Sequence, residues 1–170
     1  MLVVKEALSA QALTCLEKLK GLDLSPIAAD LMNSKNCCGW TRQQVVCAIK
    51  RYKTFLLINY LYPHILLVPT QDIDRVWHSH ILHTRKYRQD CEMLFGDFID
   101  HQPASELSGE TGQQNLDAAF VQTQALLALF EGYFETTSEV AEVHEAELAQ
   151  YQPQQEHLHL YRAACGRPKI

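Results

Sequence analysis

Glycine and proline are scarce here, seven and six among 170 residues, and no run of about 18 apolar residues goes unbroken by charge. So few turn formers leave little room for the many short strands of a sandwich or barrel. The missing apolar run argues against a membrane-spanning helix, and Lys5 and Glu6 interrupt the N-terminal apolar stretch that a secretory signal would need. Cysteine occurs six times, at 15, 37, 38, 47, 91 and 165, without a CxxC pair or the dense spacing of a disulfide framework. Reduced thiols and a soluble, cytoplasmic protein are therefore expected. Also absent are a glycine-rich phosphate loop and a serine nucleophile motif, which removes the commonest nucleotide-binding and acyl-transfer chemistries.

What remains is a chain that is 47% apolar, of a length suited to one domain that buries roughly 70% of its unfolded surface. Its apolar residues recur at helical spacing nearly throughout. Val4, Leu8, Ala12, Cys15 and Leu19 line a first helix that Gly21 can end, and Ser25-Pro26 reads as a cap and first-turn proline for a short second one through Leu31. Thr41 and Gln44 form a capping-box pattern ahead of Val45, Ile49, Tyr52, Leu56 and Tyr60, a core helix whose outer face carries Arg42, Lys50, Arg51 and Lys53. "YPHILLVPT" is an extended connector or short strand between prolines. Thr70 can cap a helix with Asp72 and Asp74 in its first turn, and another runs from about Thr84 to Phe95, where Gly96 can stop it. After a polar loop, Leu116, Phe120, Thr123, Leu127, Phe130 and Phe134 share a face, and Ser138 can cap a last helix through Val140, His144 and Leu148. The expectation is an all-α single domain over 1–170, with about seven helices, little or no β structure, and its C-terminal helices over about 113–151.

Charge is unevenly spread. Residues 42–88 carry eight basic side chains against two acidic ones, whereas 89–170 carry three against fourteen. Docking of the acidic end on the basic middle, or a basic face for an anionic partner, would both follow. The net charge of -5 and the lack of a known binding module argue against nucleic acid, although Tyr52 and Tyr87 stand among basic residues in "RYK" and "HTRKYR".

The stretch "DIDRVWHSHILHTRKYRQDC", Asp72 to Cys91, concentrates the chemistry. With Asp74 set at zero on a helical wheel of 100° per residue, His78 falls near 40° and His80 near 240°, so the HxH pair points to opposite sides. His78 stands one turn after Asp74, a spacing at which a carboxylate orients an imidazole. His80 shares its face with Trp77, Thr84, Tyr87 and Cys91, yet would lie about 16 Å from Cys91 along an unbroken helix. They can meet only if the chain bends, and His83 or Thr84 is the place for it.

These residues carry a resemblance. "VPTQDIDRVWHSHILHTRKYRQDCEMLFGDFIDH" is similar to the signature of the glycine-rich domain-containing protein-like family, a proline-led D-x-D/E-x-x-W-H-x-H-x-L followed by Y-x-x-D-C and F-G. The matching positions are Val68, Pro69, Asp72, Asp74, Trp77, His78, His80, Leu82, Tyr87, Asp90, Cys91, Phe95, Gly96 and His101, and the likeness spans about 42–101. It implies a conserved domain of poorly characterised function, whose plant members are linked to development and stress responses. No glycine-rich tail is present, so the chain is expected to be the bare module of a shorter, microbial member.

Two readings of the site stay open. His78, His80, Cys91 and His101 are competent ligands for zinc or iron, with Asp74 as a further ligand or an orienting partner, which would make the chain a metal-dependent enzyme. Alternatively Trp77, Tyr87 and the imidazoles form a hydrogen-bonded polar core satisfied by Asp72, Asp74 or Asp90, and the chain is an interaction or regulatory module with a protein partner. Cys91 as a nucleophile lacks an orienting third group and an oxyanion site.

Overall fold

The computed structural model describes residues 9–33, 39–101, 110–130 and 132–134, the side chains of 110–113 excepted. Six helices span the described residues: α1 (Ala10–Lys20), α2 (Ser25–Met32), α3 (Arg42–Leu61), α4 (Gln71–Leu82), α5 (Thr84–Phe95) and α6 (Glu110–Leu129). No strand occurs among them. The all-α expectation holds, with six helices described against about seven expected. The helix expected from Ser138, the positions Val4 and Leu8, and the cysteines 37, 38 and 165 lie outside the described residues, as do residues 135–170 of the acidic end.

Helix α3 is the centre of the molecule, packing against α1, α2, α4 and α6, while α5 lies on α4 and α1. Its capping box forms as the sequence suggests: Thr41 Oγ1 accepts from the Gln44 amide, and the Gln44 side chain accepts from the Thr41 amide. Val45, Ala48, Tyr52 and the run Phe55–Ile58 are buried and join a continuous cluster with Leu16, Leu19, Ile27, Leu31, Ile73, Val76, Trp77 and Tyr87. At about 25 cal/mol per Å² of apolar surface, such burial is the main favourable term holding the helices together.

Local departures have physical causes. Lys53, expected on the exposed face, is only 4% exposed, because α1 ends over it and its Nζ donates to the Lys20 carbonyl. A helix C-terminus leaves carbonyls without partners, and a lysine stem can lie along apolar surface while its head reaches one. Ser25 is the first helical residue and not the cap; its amide is met by the Asp23 carboxylate. Gly21 closes α1 in a right-handed conformation, whereas Gly96 ends α5 at φ 73°, the left-handed region that favours glycine. The connector between α3 and α4 forms no strand and is tied down by the Val68 amide, which donates to Thr123 Oγ1 on α6.

Candidate functional site

Thr70 makes no capping hydrogen bond to the α4 backbone. Its hydroxyl donates instead to Asp72 Oδ1 and accepts from Arg51, whose other nitrogen meets Asp72 Oδ2 at 2.7 Å. Asp72 therefore fastens the first turn of α4 to α3. Two turns later the helix presents histidines to opposite sides, and each side has its own carboxylate.

On the inner side His80 is 1% exposed. Its Nδ1 lies 3.0 Å from Tyr52 Oη and its Nε2 lies 2.8 Å from Asp90 Oδ2. A carboxylate only accepts, so Nε2 carries the proton and Tyr52 donates to Nδ1. Lys86 Nζ, 3.0 Å from the same Asp90 oxygen, completes the line. Burial pushes the His80 pKa below its ordinary value despite the opposing pull of Asp90, and burial raises that of Tyr52 well above its own. The set is a buried, neutral imidazole held between a phenol and an ion-paired carboxylate.

The break between α4 and α5 makes this possible. A single residue, His83, separates the two helices, and its Nε2 lies 2.7 Å from Asp30 on α2. The bend brings α5 back so that Tyr87 packs edge-on against His80 with ring centres 5.0 Å apart. Trp77 Nε1 donates to Tyr87 Oη at 2.8 Å, and that hydroxyl donates to the Ile99 carbonyl at 2.7 Å. Cys91 sits against Tyr87 and the Ile99 backbone, and burial raises its thiol pKa above the ordinary value. A protonated, buried thiol is a poor nucleophile.

On the outer side Asp74 stands between two imidazoles. His101 Nε2 lies 2.8 Å from Oδ1, and His78 Nδ1 lies 3.2 Å from Oδ2. The two rings face each other with centres 4.4 Å apart, and the His101 ring rests against Trp77 at the same separation. One donor atom from each of Asp74, His78 and His101 falls within 4.8 Å of the others. The His78 side chain is 55% exposed and that of His101 18%, so the group opens to solvent on one side.

Of the candidate ligands, the structure thus gathers His78 and His101 with Asp74, and gathers His80 and Cys91 separately around Tyr87. Trp77 stands between the groups, and Asp90 belongs to the inner one. Sequence reasoning missed Tyr52 and Lys86. The Lys86–Asp90 spacing of four was a readable signal; nothing in the sequence singles out Tyr52 from other core aromatics.

A family profile described as UCP032817-like matches residues 29–124. Two Arabidopsis thaliana proteins, glycine-rich domain-containing protein 1 and glycine-rich domain-containing protein 2, are each 34% identical to the chain over 82 residues, covering 46% of it. The match takes in 10% of the length of each relative. No solved structure matches. The likeness to the glycine-rich domain-containing proteins thus stands, and no helix among the described residues is long and apolar enough to cross a membrane.

Proposed function

The chain belongs to the UCP032817-like family, and we propose that it is a metal-binding helical module in which Asp74, His78 and His101 hold one divalent transition ion. The observation that carries this reading is the approach of three donor atoms, from two imidazoles and a carboxylate, within 4.8 Å of one another. Zinc and iron(II) both accept this donor set, with bonds of about 2.0–2.2 Å for zinc. Structural zinc sites are closed by four protein ligands, whereas three protein donors with an open side suit an ion that keeps water or takes a substrate. His78, more than half exposed, leaves the group accessible to solvent. The interaction or regulatory role expected from the sequence rests on no comparable geometry among the described residues.

Protein purified without a histidine tag or chelator tests the reading by elemental analysis. Near-stoichiometric zinc or iron, and a melting temperature that falls in chelator, are expected. Metal-free protein whose melting temperature is unmoved by added Zn²⁺ or Fe²⁺ would reject it.

A further inference from the structure

His101 differs from its two partners in how it is held. Asp74 and His78 sit one turn apart on α4, where helix geometry alone sets their spacing. His101 follows the end of α5 in a segment, 97–101, that has no regular secondary structure. Something must fix this segment over α4, or the third donor would be free to leave.

One hydroxyl connects all the parts. The Trp77 indole on α4 can only donate, so Tyr87 Oη accepts from it, and the phenolic hydrogen goes to the Ile99 carbonyl. Ile99 lies two residues before His101. The Phe98 ring packs edge-on against the Tyr87 ring with centres 5.2 Å apart, and the indole that donates to Tyr87 is the same one that supports the His101 ring. Both Tyr87 and Trp77 are buried. Phenylalanine would fill much the same core volume, so the hydroxyl is the group whose removal cuts the hydrogen bonds that run from α4 through α5 to the His101 segment, leaving the Cys91–Ile99 and His101–Asp74 contacts in place.

We infer that Tyr87 is the positioning residue of the metal site, holding His101 against Asp74 through the Trp77–Tyr87–Ile99 hydrogen bonds without touching the ion. The inference rests on the metal reading above for its consequence and on geometry alone for its cause. Groups that orient ligands typically alter metal affinity about 10- to 100-fold when removed. Tyr87→Phe therefore lowers affinity by at least about tenfold while all three donors remain.

The test compares wild type with Tyr87→Phe and, as a control, Tyr52→Phe, which removes a buried hydroxyl bonded to His80 on the inner side. Zn²⁺ affinity is measured by competition with a chromophoric chelator. The His101 imidazole proton resonance, which the Trp77 ring 4.4 Å away should shift, is followed in metal-free protein by NMR. Tyr87→Phe is expected to weaken zinc binding and to move the His101 resonance toward that of a free histidine, whereas Tyr52→Phe lowers stability and changes neither by more than about twofold. Zinc affinity within twofold of wild type and an unmoved His101 resonance in Tyr87→Phe would overturn the inference, as would an equal loss of affinity in both variants. Should wild type bind no Zn²⁺, the metal reading fails and the His101 resonance alone decides the positioning role. If Tyr87→Phe does not fold, replacing Asp100 with its α-hydroxy acid makes the Ile99 carbonyl a weaker ester acceptor with Tyr87 in place. A weaker zinc affinity and a displaced His101 signal are expected there too, and their absence counts against the inference.

Discussion

His78 and His80, two residues apart on α4, turn their rings to different carboxylates: His78 to Asp74 at 3.2 Å and His80 to Asp90 at 2.8 Å. The first pair lies at the surface and the second inside the protein. Substitutions on the two sides should therefore have different consequences.

Asp74→Asn, His78→Ala and His101→Ala should each lower the metal content of the purified protein, because each removes one of three donors. Cys91→Ala should leave it near the wild-type value. Elemental analysis of the four variants checks the pattern; retention of full metal by His101→Ala would contradict it.

His80 predicts a pH dependence of stability with a definite sign. Burial lowers its pKa in the folded protein, while Tyr52 on α3 and Tyr87, Asp90 and Lys86 on α5 face it. The unfolded chain then takes up a proton first as pH falls, so the contribution is complete above about 6.5 and is lost between there and the lower folded value, with a slope approaching about 1.4 kcal/mol per pH unit. Urea denaturation of wild type between pH 7.5 and 5 should be steeper in pH than that of His80→Gln, whose amide can still donate to Asp90 and accept from Tyr52. Identical pH profiles would show that His80 is not the responsible group.

Thiol chemistry should separate the cysteines. Burial raises the Cys15 pKa to about 11 and moves that of Cys91 upward, whereas Cys47 is exposed. An alkylating reagent at neutral pH should label Cys47 well before Cys91 in folded protein, as read by peptide mass spectrometry. Fast labelling of Cys91 would mean that the core opens far more readily than its packing implies.

Trp77 is 6% exposed, packs at a tilt against the Phe55 and His101 rings, and donates to Tyr87. Trp77→Ala should cost about 3–5 kcal/mol by cavity formation, measured by chemical denaturation. A loss below about 1 kcal/mol would place the ring outside the cooperative core.

The parts of this fold that could be read from sequence are those set by neighbours in the chain. Thr41 and Gln44 announced the start of α3, Gly96 the end of α5, and the 16 Å problem between His80 and Cys91 required the bend that His83 supplies. The divergence of His78 from His80 followed from helix geometry alone. Partners separated by many residues were not legible. Tyr52 lies 28 residues before His80 and reads as any core aromatic until the two helices are packed. Lys53 has the charge of a surface residue, and only the position of the α1 C-terminus buries it. His101 stood among the candidate ligands with His78 and Asp74, but its seat on Asp74, 27 residues earlier, depends on an irregular segment with no periodicity to read.

Thr123 on α6 spends its hydroxyl twice, donating to its own helix at Ala119 and accepting the amide of Val68 in the connector. That amide has no helix of its own to protect it. Its exchange with deuterated solvent therefore requires the bond to Thr123 to break, by movement of α6 or of the connector. The exchange rate of that single amide thus reports on the contact between the connector and α6, and can be compared with the rates of the amides inside α3.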